Sequence, residues 1–573
     1  MIINKIYLTM LCLVFYSCAH AVDLKSKKLN NQSAYIPSQC YTKTVNDKND
    51  NILHNPCFSC HTKNKEPNFT LSDVDLQEAY DFPDLAYTNP WTNLFKDRTS
   101  AVSKMSDKEI LNYIRKDNYK DSNGKIILKS KLENLDVNWD FNNNGIWDGY
   151  IPDVNFIFDK EGFDKNDKGE YTGWRAFAYY PFLGTFWPTN GSTDDVLIRL
   201  SKAFQNDEFG NFDLEIYKLN LSIIESLIKQ KDITIDNIDE NKYNVDLDQN
   251  GKLNITNKVV FKWLLPKYKM SYVGEAKKLL DKKIQKIAPG LYPVGTEFIH
   301  SVRYLDINSK NEIKMSNRMK ELRYAKKNNW NTYSQLSNLG FSEIKEKHDF
   351  PDRIDVYLGD IEKGLSNKRG WYYQAFIEDS KGELRPQNYE ETVFCMGCHS
   401  NIGVTTDSSF VFQRKFEENT FSQGWYHWTQ NGFKNIKDKK LGNGETEYTR
   451  YLKVNSSGDE FRSNKEILDK FFKKDWEKDT INIEKDLISK LNNPNINLEQ
   501  KWKFKKEIEK IKNDISYLIL PSVKRALLLN KAYKVIVDEQ SYIYGRDTHI
   551  KPTKNVHKKI KKGEMTHLEK IEK

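Results

Sequence analysis

Two pentapeptides, Cys57-Phe58-Ser59-Cys60-His61 and Cys395-Met396-Gly397-Cys398-His399, constrain this chain more than any other stretch. Each places two cysteines three positions apart and a histidine directly after the second. On a helical turn that spacing brings both sulfurs to one side, where they can form thioethers with the two vinyl groups of a haem. The histidine then falls beneath the iron as its proximal ligand. A zinc site built from two CxxC pairs, or a pair of local disulfides, would use the same cysteines, but both leave the recurring histidine unexplained.

On these ten residues the chain resembles a c-type cytochrome. The resemblance implies two covalently bound haem c groups, attached at Cys57, Cys60, Cys395 and Cys398, with His61 and His399 as iron ligands. It also implies electron transfer, with a redox partner protein or a small-molecule redox substrate. The alternative is a haem redox enzyme, peroxidase-like or a sulfur-compound oxidoreductase, in which one haem reacts and the other relays electrons. Bacterial dihaem peroxidases are similar in haem count, yet here the motifs lie 338 residues apart (395 minus 57), wider than two adjacent compact modules need. The sixth ligand of each iron separates carrier from enzyme. His300, on an expected strand, and His427, within Gly424-Trp425-Tyr426-His427-Trp428, are the distal candidates, with Met315 and Met319 behind them.

Covalent haem attachment resembles a process completed outside the cytoplasm, and the first residues agree with export. Lys5 precedes an apolar run from Ile6 to Tyr16 that is too short for a stable membrane span and reads as a signal peptide. Two processing sites compete. Ala19-His20-Ala21 would release a soluble chain, whereas Phe15-Tyr16-Ser17-Cys18 looks like a lipobox, with Cys18 carrying the lipid. Either way a periplasmic location is expected, with membrane contact limited to an anchor at Cys18. Of the seven cysteines, Cys40 is left without a partner, as a buried thiol or as a group beside the first haem. The net charge is +9, but the 26 residues from Thr548 contribute +5 of it through eight lysines and three glutamates. The rest is close to neutral, so no nucleic-acid partner is expected.

Six segments follow from composition and patterning: 1–21 signal peptide, 22–135 the first haem segment, 136–290 Asp/Asn loops with an aromatic run and helices, 291–430 hairpins and the second haem, 431–547 a helical region, and 548–573 a basic tail. The fold class is α+β, with an irregular N-terminal segment, a small antiparallel sheet of hairpins and a mostly helical C-terminal third. Helices are expected at Ser106–Lys116, 211–230, 273–287 and 521–539. Hairpins are expected where Thr296–Ile307 and Glu312–Tyr324 flank Asn308–Asn311, and where Trp371–Glu378 and Glu383 flank Asp379–Gly382.

Two loops carry candidate calcium ligands. Asp140, Asn142, Asn144 and Asp148 surround Gly145, and Asp246, Asp248 and Asn250 precede Gly251, each with side-chain oxygens at alternate positions before the glycine. Both lack the acid expected at the twelfth position, where Ile151 and Asn257 stand, and Asp153 is the candidate substitute in the first. The competing account is an Asx-rich turn without metal. Asp164–Gly169 is a weaker third instance, because Lys168 occupies a ligand position. Between the loops, Gly173–Pro188 is the most aromatic run, read either as core or as a haem-pocket wall in which Arg175 meets an anion.

Overall fold

The computed structural model describes residues 98–180, 192–349, 357–389, 391, 392, 396, 407–409, 411–416, 424–440, 444–446, 495 and 497–540, together with the backbone of two short strands, β1 (Thr44–Asn46) and β2 (Asn49–His54). Three helices open the main body: α1 (Thr99–Lys104), α2 (Asp107–Arg115) and α3 (Ile127–Glu133). α2 starts where Ser106 and Glu109 exchange hydrogen bonds: the Glu109 amide donates to Ser106 Oγ at 3.2 Å and the Ser106 amide to the Glu109 carboxylate at 2.7 Å. Its Ile110 and Ile114 are buried on one stripe.

Strands β3 (Phe163–Lys165), β4 (Tyr171–Ala176), β5 (Thr193–Asp194) and β6 (Leu197–Arg199) follow, and then helix α4 (Leu214–Lys229). Asp213 caps α4, accepting from the amides of Glu215 at 2.8 Å and Ile216 at 3.0 Å. β7 (Ile233–Asp239) and β8 (Ile255–Val259) form a separate pair. α5 (Glu275–Asp281) is shorter than the patterning predicts, because the chain turns left-handed at Lys283, with φ 61°.

β9 (Glu297–Ile307) and β10 (Ile313–Lys327) make the long hairpin expected there. Asn308 Oδ1 accepts from the amides of Lys310 and Glu312, both at 2.9 Å, which closes the turn. The same device recurs at Asp121, Asp159, Asn166, Asp207 and Asp379. After α6 (Tyr333–Asp349) come β11 (Leu358–Asp360), β12 (Gly364–Ser366), β13 (Trp371–Glu378) and β14 (Leu384–Pro386), the last two being the second expected hairpin. The described C-terminal helices include α7 (Leu498–Asn513) and α8 (Val523–Glu539).

The sheet itself corrects one expectation. It is not small: ten antiparallel strands run in the order β11-β12-β13-β10-β9-β6-β4-β3, with β14 added to β13 and β5 to β9. The hairpins were visible as neighbours in sequence, but the pairings of β6 with β9 and of β10 with β13 join distant segments that no local pattern announces. Successive residues of β9 face opposite ways, so Phe298 joins a core with α4, Trp371 and Phe412, while Ile299 joins one with Leu128, Trp147, Leu322 and Phe376. α4, with nearly every side chain buried, lies within the first core, and α3 closes the second. α8 is tied to β9 by Asn530, whose amide nitrogen donates to the Leu305 carbonyl at 2.7 Å and whose oxygen accepts from the Leu305 amide at 3.2 Å.

Candidate functional site

The two Asp/Asn loops have the same backbone and the same internal bonding. In the first, Asp140 accepts from the amides of Asn144 at 3.2 Å and Gly145 at 2.8 Å. In the second, Asp246 accepts from the amides of Asn250 at 3.1 Å and Gly251 at 2.8 Å. Three positions after each leading aspartate a non-glycine residue is left-handed, Asn143 at φ 60° and Gln249 at φ 57°. Two residues further, Gly145 and Gly251 are left-handed as well, at 76° and 86°. These two glycines are needed for that conformation, since a side chain would strain the turn.

A buried glutamate from outside the loop braces each one at matching places. Glu362, from the connection between β11 and β12, accepts from the amide of Phe141 with one oxygen and from that of Asp148 at 3.0 Å with the other. Glu240 accepts from Leu247 at 2.6 Å and Asp248 at 3.2 Å with one oxygen, and from Asn254 at 3.0 Å with the other. Both side chains are buried, and Glu240, Asp246 and Asp248 can each turn an oxygen to a common centre, these atoms lying within 4.8 Å of one another. Sequence reasoning missed both glutamates. Glu240 stands six residues before Asp246 and could have been found, whereas Glu362 lies 221 positions from the amide it binds and leaves no local signal.

Asp153 does not complete the first loop. Its half-exposed carboxylate accepts from the Tyr150 hydroxyl at 2.8 Å and the Trp174 indole at 2.9 Å and pairs with Arg199, so its oxygens are taken up beside the loop. The third stretch is also corrected. Asp164 is buried and accepts from the amides of Asn155 and Ile157, both at 2.9 Å, and from the Thr172 hydroxyl at 2.8 Å, burial lifting its pKa to about 6 against those bonds. Asn166–Glu170 is a plain hairpin turn.

The histidine candidates are placed apart and differ in kind. His427 is buried with both ring nitrogens engaged: Nδ1 accepts from the Thr429 amide at 3.2 Å, and Nε2 lies 2.9 Å from Asp195. Its ring stacks on Phe158 at 4.6 Å. Burial would raise the Asp195 carboxyl, but the hydrogen bonds from His427 and Ser301, with the charge of Arg303 beside it, hold it below the ordinary range. With Nδ1 accepting at a helix start and Nε2 against Asp195, both nitrogens of His427 are engaged within the fold. His300, on β9 opposite Arg323, is pushed down to about 4 by burial, with Arg323 adding and Asp195 opposing, so its imidazole is neutral near pH 7. Met315 and Met319 are buried in β10, Met319 within the core of α3.

Arg175 is likewise committed to the core. Its guanidinium lies 3.8 Å from the Trp425 ring and 4.3 Å from Phe163, and Nε donates to the Glu161 carbonyl at 3.0 Å. Burial lowers its pKa to about 10. The neighbours Trp174, Phe177, Tyr179 and Tyr180 are buried too, so the described part of the aromatic run is core.

Cys18, Cys40, Cys57, Cys60, His61, Cys395, Cys398 and His399 lie outside the described residues. Their surroundings are partly described. Before the second pentapeptide, Arg385 donates twice to Glu391, at 2.9 and 2.8 Å, and Glu391 and Asn388 exchange bonds of 2.8 Å. After it, Asp407 pairs with Lys327 and accepts from the Tyr292 amide at 2.9 Å, while its carbonyl accepts from the Trp371 indole at 2.7 Å.

Comparison with known proteins adds what the geometry does not carry. A family model described as "-like lipoprotein" matches residues 24–571. An "Uncharacterized lipoprotein" of Aquifex aeolicus (strain VF5) is 32% identical over 596 aligned positions, covering 95% of this chain and 92% of that protein. No solved structure matches. Neither the family nor the relative indicates a c-type cytochrome. A match over nearly the whole chain outweighs a likeness confined to ten residues, so the cytochrome resemblance and the electron-transfer function drawn from it, with the haem-enzyme alternative, are corrected. No helix among the described residues is long and apolar enough to cross a membrane.

Proposed function

Because the chain belongs to the "-like lipoprotein" family, we propose that it is a periplasmic protein held to a membrane by a lipid on Cys18 and stiffened by calcium in its two Asp/Asn loops. The observation that supports calcium is the repetition: two loops far apart in sequence share the carboxylate at the first position, the left-handed glycine at the sixth and a buried glutamate bound to the second and ninth amides. Calcium takes six to eight oxygens in a flexible shell. Asp140, Asn142, Asn144 and Asp148 would supply it in the first loop, and Asp246, Asp248 and Asn250, with Glu240 beside them, in the second. Some of the loop amides now donate from Asn142, Asn144 and Asn250, and a cation would turn their oxygens inward.

The test is thermal unfolding with calcium and with a chelator. Saturating calcium is expected to stabilise the chain by ~2–3 kcal/mol per loop at about a hundred times the dissociation constant. Terbium emission excited through Trp147, which sits inside the first loop, reports that loop separately. Replacing Asp246 and Asp248 by alanine is expected to halve the stabilisation and spare the terbium signal. Identical melts with and without chelator, together with silent terbium, would remove calcium from this protein. Covalent haem at Cys57, Cys60, Cys395 and Cys398 stays a proposal about cofactor alone, which an unstained band in a haem stain of the full chain would end.

A further inference from the structure

Past β8 the chain runs out into a short hairpin whose tip is apolar. Leu264 and Tyr268 exchange backbone hydrogen bonds of 3.1 and 2.8 Å, and the turn between them leaves Leu264 63% and Leu265 60% exposed. Exposed leucines are unremarkable singly, but these two sit side by side at an apex and are hemmed by cations and aromatic rings. Lys262 Nζ lies 3.6 Å from the centre of the Tyr268 ring and Lys267 Nζ 5.2 Å from it. Lys267 and Lys269 are exposed, and Trp263 is half-buried at the base of the hairpin.

The base is firmly built. Phe261 and Trp263 pack against the core that contains α4, and the Phe261 amide donates to Asp232 at 3.0 Å. The Tyr272 hydroxyl donates to the Lys286 carbonyl at 3.1 Å, which ties this segment to the turn after α5. That turn repeats the composition: Lys282, Lys283 and Lys286 surround Ile284, itself 67% exposed. From Phe261 to Ile287 there are eight lysines against Glu275 and Asp281, a net charge of +6, and of these lysines Lys277 pairs with Asp281 and Lys278 with Glu208, which leaves the positive charge concentrated at the hairpin and the turn after α5.

We propose that this hairpin is a membrane contact, with Leu264 and Leu265 entering the acyl boundary of an anionic bilayer and the surrounding lysines binding its headgroups. Three observations choose a bilayer over a protein partner. The exposed apolar side chains are two adjacent leucines at a tight turn, an area small for a folded partner. Tyr268 closes the turn beside the leucines, where an aromatic ring can settle in a bilayer interface. The lysines are all on one side of the charge balance, and each near an anionic surface adds attraction that falls off within a Debye length. Membership of a lipoprotein family brings the bilayer within reach of such a surface. The contact needs neither calcium nor the lipid, and it extends membrane contact beyond Cys18.

Vesicle co-sedimentation of the full chain tests it, in a Cys18→Ser background so that no acyl chain contributes. Phosphatidylglycerol-containing phosphatidylcholine vesicles are compared with phosphatidylcholine alone. The parent is expected to bind the anionic vesicles and to release as salt rises. The double variant Leu264→Asp with Leu265→Asp is expected to lose about tenfold or more in affinity, and Lys267→Glu with Lys269→Glu a comparable amount. All four side chains are solvent-facing, so unchanged thermal melts would show the fold intact. Equal binding by parent and leucine variant overturns the proposal, whether that binding is to both vesicle types or through charge alone. Absence of binding to anionic vesicles overturns it too, and leaves the lipid on Cys18 standing or falling by its own measurement.

Discussion

Lys327 and Asp407 are both fully buried and directly paired, Asp407 also accepting from the Tyr292 amide. Burial drives the carboxyl up and the ammonium down, and each partner works against that drift in the other. Removing one member leaves the other as an uncompensated group in the core, a loss of about 3–5 kcal/mol, whereas removing both can be close to neutral. Urea unfolding of Lys327→Met, Asp407→Leu and the double variant measures this. Each single change is expected to be strongly destabilising and the double change to recover most of the loss. Additive single effects would mean that the two charges are not coupled. The same distinction explains what residue types could not reveal in the sequence. His427 and Arg175 looked like ligands because of their chemistry, but in the fold His427 is engaged by Thr429 and Asp195, and Arg175 by the Glu161 carbonyl and the rings of Phe163 and Trp425.

At the scale of elements, what the sequence disclosed was whatever is closed over short distances. The β9–β10 hairpin was legible because Asn308 and the two alternating runs around it carry turn and strand chemistry within thirty-odd residues. α2 was legible from Ser106 and its stripe of Ile110 and Ile114, and α8 from its apolar face after Ser522, whose hydroxyl accepts from the Arg525 amide at 3.2 Å. The width of the sheet was not, since strands as short as β5 and β6 owe their existence to β9, which lies about a hundred residues later. Loop chemistry divides the same way. The alternating Asp and Asn oxygens of 140–148 and 246–254 could be read directly, while the brace that makes the first loop resemble the second arrives with Glu362 through the fold. A twelfth-position acid is absent from both sequences, yet a glutamate from outside each loop binds its second and ninth amides, and in the second loop that carboxylate also lies beside Asp246 and Asp248.

Over the whole molecule the tether and the hairpin tip make separable demands on a membrane. A few exposed leucines and a set of lysines give weak, salt-sensitive attachment, of the kind that needs a second signal to hold a protein in place. An acyl group on Cys18 supplies that second signal, and the competing cleavage after Ala21 would abolish it. The two outcomes differ in the N-terminus they leave: a lipid-bearing Cys18 in one case and a free Val22 in the other. Metabolic labelling with a radioactive fatty acid, followed by membrane fractionation, is expected to label the wild-type chain and find it in the membrane pellet. Cys18→Ser is expected to carry no label and to appear mainly in the soluble fraction at physiological salt, because the tip alone is too weak to retain it. Label persisting in Cys18→Ser would place the lipid elsewhere. An unlabelled wild-type chain beginning at Val22 would remove the tether and leave the hairpin tip to stand or fall by vesicle binding alone.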